Sequence, residues 1–171
     1  IYVKYTDKLI GTIDGTLENV PASDAVLYLD KSARPVAWMV DAFWEILARQ
    51  TGTKFTDNKV PKKPDTFFLN IDREQWLPTV DPANKGILNI DAVPEEAIAS
   101  LRAIYQPISS PIEAPTILDG KNVLIVDEVG VTGSTLKIAK ALLMRALPEA
   151  NFRTTHWMLP GIYSGGGASR N

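Results

Sequence analysis

Asp127 and Glu128 stand side by side at the end of an apolar run, Val123–Val126, and the chain then reaches Thr-Gly-Ser-Thr at Thr132–Thr135. Carboxylates accept hydrogen bonds from hydroxyls, or hold magnesium and its waters. A loop of hydroxyls and glycine that opens a helix does the opposite work. Gly130 and Gly133 let the chain bend tightly, and the helix start turns free N–H groups and a positive dipole end toward an anion. Thr132, Ser134 and Thr135 add hydroxyl donors. Carboxylates repel a phosphate, so their own target must be sugar hydroxyls or a metal ion. A sugar phosphate with free hydroxyls meets both demands with one molecule.

Such a site needs a strand to deliver the acids and a helix to open behind them. Val123–Val126, with Asn122 before it, has the continuous apolar character of a buried strand, and "TLKIAKALLMRAL" (Thr135–Leu147) has the period of a helix, with Leu136, Ile138 or Ala139, Leu142, Leu143 and Leu147 on one side. Alternation along a strand points Asp127 and Glu128 oppositely, so one ligand for both requires the backbone to turn already at Glu128. Further strands are predicted at Ala25–Leu29, at Asp65–Ile71 and through "TTHWML". A helix is predicted after Pro35, with Val36, Met39, Val40, Phe43, Trp44 and Leu47 inward and Gly52 as its stop. Trp38 and Trp44 are both assigned to core packing, and "PEEAIASLRAIYQPI" is a further helix with Pro94 in its first turn. The opening twenty residues read as short strands and a turn, and "ILNID" echoes "FLNID" as a second strand end. Apolar strands separated by helices imply an α/β fold, a mostly parallel sheet with helices on both faces. Its ligands belong beyond the carboxyl ends of the strands.

The chain has 171 residues, 45% of them hydrophobic, which suits one domain over residues 1–171, cut from a longer protein if Ile1 marks a break. A formal charge of -2 offers no global attraction to nucleic acid or an anionic membrane. No apolar run is long enough for a membrane span. The absence of cysteine excludes disulfides and thiolate chemistry and suits the cytoplasm. His156 is the only histidine, so a histidine metal cluster is excluded too.

A second chemical stretch, "YLDKSARP" (Tyr28–Pro35), follows the first apolar strand. Lys31 and Arg34 can neutralise a diphosphate and Ser32 can donate to it, or the two cations are ordinary surface charges. The familiar phosphate and dinucleotide loops do not fit: no lysine follows Gly133, and GxGxxG is absent.

The stretch "VLIVDEVGVTGSTL" resembles the signature of the type I phosphoribosyltransferases, which use 5-phosphoribosyl 1-diphosphate. The resemblance implies that Asp127 and Glu128 hold the ribose 2- and 3-hydroxyls. It gives the 5-phosphate to Val131–Thr135, chiefly Thr132, Gly133, Ser134 and Thr135. The order Asp-Glu is a mild departure, since relatives sometimes carry Glu-Asp. The diphosphate loop of the family falls on Tyr28–Pro35, where this chain has Ser32 and Ala33 in place of the glycine many relatives show. A mobile catalytic loop falls on "TKFTDNKVPKKP" or on Arg73–Gly86, and base recognition on "HWMLPGIY", where Trp157 or Tyr163 could stack. The implied activity is Mg2+-dependent transfer of ribose 5-phosphate to a nitrogen base in the cytoplasm, with Asp127 and Glu128 approaching the metal indirectly. A homodimer is compatible with the family, and no nucleic-acid or membrane partner is expected. Two alternatives use the same scaffold: a regulatory domain that senses the sugar phosphate or a nucleotide without transferring it, and a structural domain that binds neither.

Overall fold

The computed structural model describes residues 2–29, 33–50, 62–71, 88–108, 110–111, 114–129 and 133–158. In chain order these form α1 (Tyr2–Ile13), β1 (Ala25–Leu29), α2 (Arg34–Gln50), β2 (Asp65–Leu69), a 3-10 turn (Ile90–Ala92), α3 (Glu95–Ala103), β3 (Asn122–Val129), α4 (Ser134–Ala146) and β4 (Asn151–Met158). The strands make one sheet, ordered β2-β1-β3-β4, in which every neighbouring pair is parallel. β1 and β3 are therefore interior strands among the described residues.

Alternation along the interior strands divides the core into two. Ala25, Leu27 and Leu29 of β1, with Val123 and Ile125 of β3, face α3 and α4, where they meet Ile98, Leu101, Leu136, Ile138, Leu142 and Leu143. Val26 and Tyr28, with Leu124 and Val126, face α1 and α2, where they meet Leu9, Ile10, Ile13, Val36, Val40 and Trp44. A strand apolar at every position is what a sheet covered on both faces requires. Burying a Leu, Ile or Val side chain contributes roughly 1.5–3 kcal/mol, so both clusters are needed to offset the entropy of ordering the chain.

Four local readings are corrected. The opening residues form α1 instead of short strands, because Tyr5, Leu9, Ile10 and Ile13 repeat at helical spacing and pack in the second cluster. The helix stops at Asp14–Gly15: Asp14 Oδ1 accepts from the Thr16 N–H at 2.9 Å, and Gly15 takes a φ of 79°. Trp44 is buried at 2% exposure, but Trp38 is 64% exposed. Six positions on a 3.6-residue period separate the two by about 120° around α2, so one apolar face cannot hold both. Ile90–Asp91 belong to the 3-10 turn and not to a strand end, and Pro94 caps α3 from outside its first turn.

The amino edge of the sheet is tied by its polar residues. Asp24 Oδ2 accepts from the Asn122 N–H at 2.9 Å, and Lys121 Nζ donates to Asp65 Oδ2 at 2.8 Å. The carboxyl edge is built differently, and the candidate site residues Asp127 and Glu128 stand there.

Candidate functional site

From β1 the chain crosses through α2 to β2 on one side, while β3 lies on the other side with α4 following it on the opposite face. The carboxyl ends of β1 and β3 thus flank the point where strand order reverses, and open parallel sheets bind ligands in that crevice. The two stretches with chemical character, 30–34 and 130–135, leave these two adjacent strands. Lys31 and Ser32 in the first, and Gly130, Val131 and Thr132 in the second, lie outside the described residues. Arg34, Gly133, Ser134 and Thr135 lie within them.

β3 does not end at Val126. It continues in register with β4 through the Asp127–His156 and Val129–Met158 pairs. The turn at Glu128 that would put both acids on one face is therefore absent. Asp127 continues the row of Val123 and Ile125, on the α4 face, whereas Glu128 continues that of Leu124 and Val126, on the α2 face. Both are half-buried. Asp127 Oδ1 accepts from the Glu128 N–H at 2.8 Å, so one of its oxygens already steadies the strand end. A single sugar touching both acids must straddle the end of the strand.

Behind the acids, Gly133 caps α4 in the left-handed region, φ 66° and ψ 7°, with no side-chain hydrogen bond to the cap. Its carbonyl accepts from the Lys137 N–H at 3.1 Å, closing the first helical turn. No acidic residue stands in that turn, so no charge within it opposes an anion at the dipole end. Ser134 is buried and Thr135 half-buried. Among the described residues, a Cβ added to Gly133 would meet His156 Cε1 alone, at 3.7 Å. The imidazole therefore lies against the helix start, and its Nε2 is enclosed with no hydrogen-bond partner among the described residues. The sequence alone put His156 beyond the phosphate loop, near a base. Parallel pairing of β4 with β3, opposite Asp127, brings it to the loop itself.

On the other face, Arg34 opens α2 beside the end of β1, and its guanidinium sits 5.0 Å from the ring centre of Phe68 on β2. That is the β2 side of β1, away from β3. Arg34 would reach a ligand from this outer side. The two helix starts, α2 and α4, thus open at the same sheet edge on opposite faces of neighbouring strands, which lie about 4.8 Å apart in such a sheet.

Other candidates fall outside this arrangement. Trp157 packs in the α1–α2 cluster, its ring 6.0 Å from that of Tyr5, so it is a core residue and no platform for a base. Lys63 pairs with Asp41. Those two line an open groove of about 440 Å³ with Trp38 and Phe68, between α2 and β2 and away from the crevice. Both candidate catalytic loops, apart from Lys62, Lys63 and Pro64, and also Tyr163, lie outside the described residues. Among the described residues no helix is long and apolar enough to cross a membrane, and no group of three or more acids and histidines gathers to hold a metal. Comparison with models of known protein families gives no match, and neither does comparison with curated protein sequences.

Proposed function

We propose that this chain is a type I phosphoribosyltransferase-like protein that binds 5-phosphoribosyl 1-diphosphate and transfers its ribose 5-phosphate to a nitrogen base. One observation carries the reading: two anion-favouring helix starts flank the switch point on opposite faces, with Asp127 and Glu128 at the strand end between them. A ligand with a phosphate at one end, a diphosphate at the other and a diol in the middle matches that order of charges.

In the transfer, the bond from the sugar's C1 to the diphosphate oxygen breaks, and its electron pair leaves with the diphosphate. The base nitrogen then forms the new bond to C1, and the proton that it carried passes to water or to the departing diphosphate. Positive charge grows on the sugar ring meanwhile, so the protein's task is to fix the ribose and keep water out. The α4 start holds the 5-phosphate, and Asp127 and Glu128 accept from the ring hydroxyls without taking a proton. Lys31, Ser32 and Arg34 serve the diphosphate. Two carboxylates on opposite faces suit a Mg2+ held mainly by ligand oxygens and water, not a cage built by the protein. When bound, such an ion would neutralise charge on the departing diphosphate.

A sensor that binds the same ligand without transfer is the second reading, favoured by the engagement of Arg34 with Phe68 on the outer side of β1. The test is calorimetric titration with 5-phosphoribosyl 1-diphosphate, with and without Mg2+, followed by turnover with a panel of purine and pyrimidine bases. Binding with diphosphate release supports transfer, and binding alone supports the sensor. No binding in either condition removes both.

A further inference from the structure

We propose that the groove between α2 and β2 binds the purine ring of a nucleoside, stacked on Trp38 and read along its edge by the Asp41–Lys63 pair. The groove is separate from the crevice, and the inference does not rest on the proposed function.

Helix period and strand register build its two walls. Ala37, Trp38 and Asp41 stand three or four positions apart or adjacent on α2, so they share one side of the helix. Thr66 and Phe68 of β2 pair in register with Val26 and Tyr28, on the row that faces α2. These residues and Lys63 line the groove of about 440 Å³. Small-molecule sites measure roughly 300–1,000 Å³ and combine aromatic lining with a few placed polar groups.

The core does not account for the two aromatic rings. Trp38 is 64% exposed and Phe68 37%. Phe68 is nevertheless held in place, with the Tyr28 ring centre at 6.0 Å and the Arg34 guanidinium 5.0 Å from its own ring centre. A ring braced in this way gives up little freedom when a ligand meets it. Asp41 and Lys63 form an ion pair that joins the two walls, and both keep exposed surface. Such a pair adds little to stability, but it sets an acceptor beside a donor. A carboxylate and an ammonium each retain hydrogen-bonding capacity after meeting one another. The pairing edge of a purine carries the complement, an N–H beside an acceptor. Asp41 accepts from that N–H, and Lys63 Nζ donates to the neighbouring acceptor. The fused ring covers more of Trp38 than a pyrimidine does, and stacking gains with covered area.

The full chain is titrated calorimetrically with inosine, 1-methylinosine and ribose. Inosine is expected to bind and ribose is not. The methyl group removes the N–H that Asp41 accepts, so 1-methylinosine is expected to bind about tenfold more weakly. W38A should bind inosine about tenfold more weakly through loss of one stacked base, and D41A should erase the difference between inosine and its methyl derivative. Both side chains are exposed, so each variant is expected to keep the parent's urea midpoint. If inosine does not bind, or if W38A and D41A bind it as the parent does, the inference fails. Displacement of inosine by 5-phosphoribosyl 1-diphosphate would put the nucleoside in the crevice and overturn it as well. If that ligand does not bind but W38A weakens inosine, the groove stands and the proposed function falls. A parent that sediments as a dimer and a W38A variant that sediments as a monomer, with inosine bound by neither, would make the groove an interface between two copies and end the inference.

Discussion

Replacing Gly133 by alanine separates two roles of this residue, and Gly120 supplies the matched control. Both glycines adopt positive φ, 66° and 73°. Among the described residues neither is crowded: a Cβ on Gly133 meets His156 Cε1 at 3.7 Å, an ordinary contact, and a Cβ on Gly120 meets nothing within 4 Å. The expected loss is therefore backbone strain alone, about 1–2 kcal/mol for an L-residue held in the left-handed region. At either site the folded-to-unfolded ratio should fall by a factor of about 5–30. Urea unfolding should show this as a lower midpoint with an unchanged slope. The variants should part company in binding. Relaxing the Gly133 cap turns the first N–H groups of α4 away from the anion, so G133A should bind ribose 5-phosphate about tenfold more weakly, or about 1.4 kcal/mol. G120A, which lies in the turn before β3 at the amino edge, should bind as the parent does. Asparagine tolerates this conformation better, so G133N should recover part of the stability. Equal affinities for G133A and G120A would refute the cradle. An unchanged urea midpoint for G120A would refute the strain argument itself.

Further outcomes follow from the same geometry. G15A should be destabilised by about 1–3 kcal/mol more than G120A in the same urea assay, because its Cβ would stand 2.0 Å from the Val20 carbonyl oxygen, a backbone atom that cannot rotate aside. Changing Asp127 and Glu128 together to their amides should weaken ribose 5-phosphate by roughly 1.5–3 kcal/mol, the worth of a charge-assisted hydrogen bond, and a 2-deoxy analogue should lose less; equal losses for the two sugars would take the diol away from these acids. The hydrogen bond and the charge of Lys121 hold the Asp65 carboxyl below the usual carboxylate range. A depressed folded-state value means that its stabilisation is complete above the unfolded value and is lost as pH falls through the folded one. D65N should therefore flatten a small part of the acid limb of the stability profile and leave the neutral plateau nearly level, since the pair is exposed.

The sheet was legible because its interior strands are apolar at every position, and Val123–Val126 sits where that pattern placed it. The same pattern hid where β3 stops. Asp127 and Glu128 are polar, so apolar periodicity ends at Val126, yet main-chain pairing with β4 carries the strand on to Val129. The consequence for the site, acids on opposite faces, depends on main-chain pairing and is invisible to side-chain pattern. α1 was misread because aromatic and β-branched residues such as Tyr2, Val3 and Tyr5 favour strands locally, while packing against α2 and β4 decides for helix. His156 was visible as a lone histidine but not as a neighbour of Gly133. That contact joins residues 23 positions apart across a parallel crossover, and only the register creates it.

The docking of α1 has a consequence for how this chain is made. Tyr5 stacks edge-on against Trp157, and Arg153 reaches Glu18 at 3.1 Å, the Thr12 and Pro21 carbonyls and the Ser23 hydroxyl. α1 and the turn after it are thus fastened by a strand more than 130 positions later in the chain. Until β4 is made, the apolar side of α1 has only part of its seat, and the nascent chain must carry it so while the residues between them are added. At about 5–20 residues per second that interval lasts on the order of ten seconds. Closure then comes in one late step that brings together the chain's distant parts, the kind of non-local contact that slows folding and lends itself to capture by a chaperone.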